Sequence, residues 1–378
     1  MNLRIEQLAS GRTGLLCVWL MILSTGTSQA DWPLVRGDGR ASGVAATALP
    51  TQLEVLWKVA LAPGGIEATA ILAKGAVYVG DVEGTFHARR LSDGSELWQS
   101  QFAETGFATA AAYSAERLFV TDFDGVIRCL DAAKGEELWS HSTDSAVYAA
   151  PNVIDGQVLV ATDSGQLIAL AADSGQPRWT FELEAPLRCW PTVVSGQVLL
   201  AGCDENLHTV DATTSQEVDR LELDGPTGST AAELKGNVYF GTQQGTFYSL
   251  ATQPLAINWL YRDPKRAAEI NSAAAVDPRV VVFASHGKQV TALDPARGEP
   301  LWRFPVRGRV EGSPVIAGNW VLVATSRGRL IAVDLQSGKE AWSYDAGGGF
   351  LASPAVASGR LVIGNRDGTL YCFGTRGD

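Results

Sequence analysis

Residues 311–342, EGSPVIAGNWVLVATSRGRLIAVDLQSGKEAW, decide the fold. A small-residue start leads into an apolar strand, Pro314 to Ile316. Gly318-Asn319 makes a tight turn, and Val321 to Ala324 reads as a second strand. Arg327-Gly328 turns again before a third strand, Leu330 to Val333. An Asp334-to-Gly338 turn then feeds a fourth strand that ends on Trp342. Gly and Asn supply the positive φ that short hairpin turns demand. Four short antiparallel strands in about 40 residues make one propeller blade.

The unit repeats along the chain. Trp recurs at 57, 98, 139, 179, 259, 302 and 342, in steps of 41, 41, 40, 80, 43 and 40. The double step leaves one vacant slot, at Asp219. A Pro or Ala ahead of an apolar strand recurs at Ala70, Ala111, Pro151, Pro191, Ala231, Ala274, Pro314 and Pro354. Two ladders of one period predict an all-β chain, a single eight-bladed propeller of four-stranded antiparallel blades. The last unit stops after its third strand, while the first Trp strand, Leu53 to Val59, has no unit before it. The N-terminal strand is therefore expected to complete the eighth blade and close the ring, which removes open edges. The expected organisation is 1–30 as a signal peptide, 31–52 as an opening segment and 53–378 as the propeller.

Composition agrees with this reading. The 378 residues include 40 Gly and 11 Trp but only 2 Met, and the formal charge is −11. That charge speaks against nucleic acid or an anionic membrane as a partner. Arg4 and Arg12, the apolar run Leu15 to Leu23 and the small residues Ser28 and Ala30 read as a secretory signal cleaved near Ala30, with an uncleaved anchor as the alternative. The expected product is a monomer of the periplasm or cell envelope, with no span in the mature chain. The ladder tryptophans read as structural wedges between blades. Asp131, Asp211, Asp294 and Asp334 share one turn position and read as turn residues. Cys129 and Cys372 fall where other units carry Ala, which marks them as core. Cys189 and Cys203 flank one hairpin, and a disulfide between them is left open.

The units GQVLVATDSGQLIALAADSGQPRW (156–179) and NRDGTLYCF (365–373) resemble the pyrroloquinoline-quinone-like repeat family. The resemblance covers roughly residues 53–373. It implies an eight-bladed propeller with a tryptophan-docking ladder. The family holds quinoprotein alcohol and glucose dehydrogenases as well as non-enzymatic, BamB-like barrel-assembly factors of the outer membrane. The segment DWPLVRGDGR (31–40) is similar to the start of many exported propellers of this family, and its Arg36-Gly37-Asp38 reads as a coincidental tripeptide. The dehydrogenases carry long insertions, an adjacent Cys-Cys disulfide and a calcium beside a catalytic Asp. Blades at steps of 40 to 43 leave no room for such insertions, no two cysteines adjoin, and no nucleophile elbow, zinc motif or phosphate loop occurs. No catalytic or metal residue is therefore assigned, and no cofactor is expected; quinone with calcium is the minor alternative. The four His fall in different blades and read as exposed.

The candidate site is the mouth of the central channel. Three positions before the Pro/Ala ladder stand Glu67, Ala108, Tyr148, Arg188, Gly228, Asn271, Glu311 and Leu351, each preceded in most units by an apolar residue. Glu67, Tyr148, Arg188, Asn271 and Glu311 form a polar ring able to hold a small ligand or peptide. The resemblance adds Leu187, because Leu187-Arg188 is similar to a Leu-Arg pair that faces the partner barrel protein in the assembly factors. The leading expectation is a protein-binding scaffold of the envelope, its partners including barrel-assembly components. A ligand-sensing propeller and a quinone-dependent dehydrogenase are the alternatives.

Overall fold

The computed structural model describes residues 31–61 and 63–376, and the expected signal peptide lies outside them. The described residues form eight four-stranded antiparallel sheets and no helix. Blades 1 to 7 run in sequence through residues 71–101, 112–142, 152–182, 192–222, 232–262, 275–305 and 315–345. Blade 8 joins the strands Ala355–Ala357, Arg360–Gly364 and Thr369–Gly374 to the N-terminal strand Glu54–Ala60. That strand pairs with Thr369–Gly374 in a register that sets Trp57 against Cys372. The closure read from the unmatched Trp strand is the closure found.

Each strand shows why it sits where it does. The second and third strands of a blade are almost wholly apolar and buried, as in Gln157–Ala161 and Gln166–Ala171. The outermost strands alternate exposed and half-buried, as in Pro177–Glu182, because one face meets the next blade and the other meets water. The three-residue first strands of neighbouring blades touch one another and surround the axis.

The ladder is a chain of hydrogen bonds between blades. The indole Nε1 of Trp57 donates to Leu91 O at 2.9 Å, Trp98 to Ala132 O at 3.0 Å and Trp139 to Ala172 O at 3.2 Å. Trp179, Trp259 and Trp302 do the same to Ala212, Pro295 and Leu335. Trp342 reaches Leu53 O at 3.1 Å, across 289 positions of sequence, and so ties blade 7 to the start of the chain. Opposite each ring, in register, stands a small third-strand residue: Ala88 faces Trp98, Cys129 faces Trp139 and Ala169 faces Trp179. Trp57, Trp98, Trp139, Trp259 and Trp302 also lie on a turn glycine of the next blade. A β-carbon on Gly94 would come within 2.8 Å of Trp57, and at φ +74 the position already favours glycine.

The vacant slot is filled by a paired change. Asp219 has no ring, and its Oδ2 accepts the Leu255 N–H at 3.2 Å. Leu255 occupies the position held by Gly94, Gly135 or Gly175 in other blades. A side chain stands where the neighbouring blade needs none, because no indole is there to collide with it.

The turn aspartates behave as read. Asp131 Oδ1 accepts the N–H groups of Ala133 and Lys134 at 2.9 Å, and Asp211 and Asp294 repeat the pattern. All four described cysteines are free thiols, so Cys189 and Cys203 are not bonded.

Deleting residues 53–59 removes the outermost strand of blade 8 and the acceptor of Trp342 together. Circular dichroism should then show no single cooperative thermal transition; an unchanged transition would refute closure by this strand.

Candidate functional site: a cup at the channel mouth

The eight residues three positions before the Pro/Ala ladder line one cavity of about 180 Å³ on the axis. The residue before each of them points the other way, as extended chain requires. Ile66, Phe107, Val147, Ile270, Val310 and Phe350 are all buried between blades. Glycines make room for several of them: a β-carbon on Gly80 would strike Phe107, and one on Gly364 would strike Ile66. The ring and its apolar backing were legible because each recurs with the blade.

Leu187 belongs to the apolar set and not to the mouth. It is 0% exposed and packs among Leu159, Leu167 and Leu200. Its resemblance to a partner-facing leucine is not matched by its placement here. Arg188, one residue on, does face the mouth. Its Nε donates to Asp163 Oδ1 at 2.7 Å and its guanidinium sits 5.7 Å from the Tyr148 ring centre. That bond to Asp163 raises the guanidinium's pKa still further.

Across the ring the chemistry is acceptor-rich. Glu311 Oε2 is 3.7 Å from His286 Nε2, whose Nδ1 meets Glu269 Oε2 at 2.9 Å. The Asn271 Oδ1 atom is buried and has no hydrogen-bond partner among the described residues. Glu67 forms no ion pair among the described residues. Glu67, Asn271 and Glu311 thus offer oxygens toward the axis from blades 1, 6 and 7, with Leu351 of blade 8 between them.

Below the ring lies a belt of hydroxyls. Ser353 N–H donates to Thr69 Oγ1, Ser313 N–H to Ser353 Oγ, and Ala273 N–H to Ser313 Oγ, all at 2.8 to 3.0 Å. Trp190 N–H donates to Thr230 Oγ1 in the same way. These residues immediately precede the Pro/Ala ladder, and their Ser and Thr recurrence was the signal that sequence reading passed over.

The floor is built by the opening segment. Trp32 exchanges two backbone hydrogen bonds with Leu72 of blade 1. Pro33 O, Gly39 O, Arg40 O, Ser42 O and Gly43 O then accept N–H groups from Tyr113, Val193, Glu233, Val276 and Ile316 in turn. Gly39 O also accepts from Asn152 Nδ2, and Thr47 Oγ1 lies 3.5 Å from Gly359 N. One strap therefore touches every blade and serves the inner strands, whose backbone groups would otherwise lack partners. Arg36 sits wholly buried under the cup, where Nη2 donates to Ala274 O and Pro314 O at 3.0 and 2.7 Å. Burial pulls its pKa down to about 9, with Asp38 pulling the other way. A buried Arg36 also removes the Arg-Gly-Asp tripeptide from any receptor's reach.

Two histidines differ from expectation. His87 and His208 hold the same third-strand position and are buried at 3% and 0% exposure. Each points toward the turn beside the mouth: His87 Nε2 meets Asp81 Oδ2 at 2.8 Å, and His208 Nε2 meets Asp204 Oδ2 at 2.8 Å. Arg128 takes this position in blade 2 and pairs with Asp122. These are cross-turn braces, each anchored inside by a carboxylate across the turn.

The sequence matches the family described as outer membrane protein assembly factor BamB over residues 89–283 and 286–377. No curated protein matches the chain. Among solved structures, BamB from Moraxella catarrhalis is similar at 19% identity and a TM-score of 0.74, over 86% of this chain and 99% of that one. The computationally designed Ika8 protein gives 17% identity and a TM-score of 0.76, over 85% and 100%. The quinohemoprotein alcohol dehydrogenase of Comamonas testosteroni gives 16% and 0.75, over 92% and 81%. At such identities these likenesses show the fold alone.

The Asp81 brace has a pH signature. Burial alone would raise the Asp81 carboxyl, but the bond to His87 and the N–H groups of Thr85 and Glu83 hold it below its ordinary value. A depressed carboxyl stabilises the fold above its unfolded value, near 3.9, and loses that contribution as pH falls through its folded value. Asp81→Asn should cost about 1–3 kcal/mol at neutral pH. Urea unfolding of both proteins should show that deficit shrinking as the pH drops below about 4; a deficit constant with pH would refute the charged brace.

Proposed function

Because this chain belongs to the family described as outer membrane protein assembly factor BamB, we propose that it is a non-enzymatic propeller acting as a protein-binding scaffold in the cell envelope. The observation that carries the reading is the cup itself. At about 180 Å³ it is smaller than the roughly 300–1,000 Å³ of pockets that enclose a small molecule. Its floor is sealed by the strap, so what the channel leaves for recognition is the rim around the mouth. The signal-like residues 1–30 support export, and no described helix is long and apolar enough to cross a membrane.

The residues present do not fit a quinone with calcium. Among the described residues no three His, Cys, Asp or Glu side chains gather as a metal would need. Arg188 and its partner Asp163 also occupy one side of the mouth. A second reading is a small ligand in the cup, favoured by the unpartnered Asn271 Oδ1 beside Glu67 and Glu311. Envelope proteins remain the proposed partners, barrel-assembly components among them.

Crosslinking the tagged chain in its native envelope should recover a discrete partner protein, and Arg188→Glu on the rim should reduce that recovery. Recovery of no partner would count against the scaffold. Titration of the purified chain with pyrroloquinoline quinone and calcium should leave its absorption spectrum without a stoichiometric bound chromophore; a bound chromophore would overturn the reading.

A further inference from the structure

The face that carries the mouth is electrically split. The turns between second and third strands lie at this end, beside the loops that join one blade to the next. Asp163 N–H donates to Ala146 O, His286 to Glu269 O, Ser326 to Arg309 O and Arg366 to Gly349 O, all at 2.8 to 2.9 Å. These paired turns and loops make up the rim. Over blades 6 to 8 the rim carries Arg266, Lys288, Arg307, Arg309, Arg327 and Arg366, all exposed. None of the six enters an ion pair among the described residues.

They are also clustered in space. The stem of Arg327 lies over Gly308, so that a β-carbon there would meet its Cγ at 3.0 Å, and Gly308 stands between Arg307 and Arg309. Arg266 lies against Gly287, next to Lys288. Most acids of this arc are engaged: Asp263 with Arg303, and Glu269 and Glu311 with His286. Asp367 stands beside Arg366. The rim of blades 1 to 4 is the reverse. It exposes Glu83, Glu104, Asp124, Asp144 and Glu184, and its rim cation, Arg188, is held by Asp163. A chain of net charge −11 has gathered unpaired cations on three adjacent blades of one face.

We propose that the rim of blades 6 to 8 is a docking surface for an acidic peptide segment of a partner protein. This rests on the scaffold reading and adds the chemistry of what is bound. Five of the six cations are arginine, whose planar fork holds a carboxylate through two parallel hydrogen bonds, which a lysine ammonium cannot do. The segment must be short. A broad anionic sheet such as a membrane would also lie over the acidic half, well beyond the roughly 8 Å that physiological salt leaves unscreened. A strand or loop carrying several Asp or Glu fits the basic arc and avoids the acidic one.

The test uses a fluorescein-labelled octaglutamate peptide and the purified full chain, read by fluorescence anisotropy. Saturable binding is expected, weakening steeply as salt rises. The triple variant Arg307→Glu, Arg309→Glu, Arg327→Glu should bind about tenfold more weakly or worse. Arg366→Glu, alone on blade 8, should weaken binding by a smaller factor and serves as the informative variant if the triple one does not fold. Glu104→Gln with Asp144→Asn on the opposite rim should leave binding as tight or tighter. No saturable binding at low salt, or equal binding by wild type and Arg366→Glu, would overturn the proposal. So would anionic lipid vesicles or inorganic polyphosphate binding where octaglutamate does not. If octaglutamate fails while native crosslinks persist, the arc is wrong and the scaffold stands. If octaglutamate binds but no partner is crosslinked, the arc stands and the scaffold reading is wrong.

Discussion

The bond from the Trp342 indole to Leu53 O is the constraint on which the ring depends. Seven blades built only from local hairpins would be an open stack, with an outer face of blade 7 and an inner face of blade 1 left to water. The N-terminal strand Glu54–Ala60 supplies what is missing, pairing with Thr369–Gly374 and presenting the acceptor for Trp342. Closing so long a loop costs entropy that grows only logarithmically with its length. What offsets it is a buried blade junction, and removing one ring as large as Trp from such a junction typically costs about 3–5 kcal/mol. The free energy that orders the termini therefore comes from the same contact that orders every other junction.

That shared contact explains why the fold was legible. Every ladder residue meets a small residue opposite it and a carbonyl ahead of it, and under five of the seven rings lies a glycine, with Ser215 at a positive φ under Trp179. Trp98 finds Ala88, Gly135 and Ala132; Trp139 finds Cys129, Gly175 and Ala172. Each requirement writes itself into the sequence at one period. The exception follows the same logic, since Asp219 loses the ring and Leu255 takes the place that the absent ring no longer reserves. Cys129 and Cys372 were readable as core for the same reason.

The site was legible only in part. Position along the period told which residues reach the mouth, so Glu67, Tyr148, Arg188, Asn271 and Glu311 do meet around one cup. Leu187 was misplaced because a pairwise likeness was followed where alternation along an extended chain already turned it into the core. His87 and His208 were misread because burial of a polar side chain depends on a partner four to six residues away across a turn, which the period does not announce. The strap was illegible for a stronger reason. Residues 32–47 run once around the axis and meet the blades at unevenly spaced residues, Gly39 serving two of them, so nothing in them repeats.

The strap also decides where function can sit. An open channel offers two mouths and a wall. Here Trp32 to Thr47 bond across the inner strands at one end, and Arg36 occupies the axis with its guanidinium turned to two ladder carbonyls. That end is committed to stability, because displacing the strap would strand a buried guanidinium and the inner-strand backbone amides of blades 1, 2, 4, 5, 6 and 7 at once. Recognition is left to the opposite rim, where turns of two or three residues must bend but need not pack. There the period fixes backbone and leaves side chains unconstrained, so the charge carried by each turn can differ from blade to blade. A face with cations on blades 6 to 8 and carboxylates on blades 1 to 4 is the kind of difference that folding alone does not require.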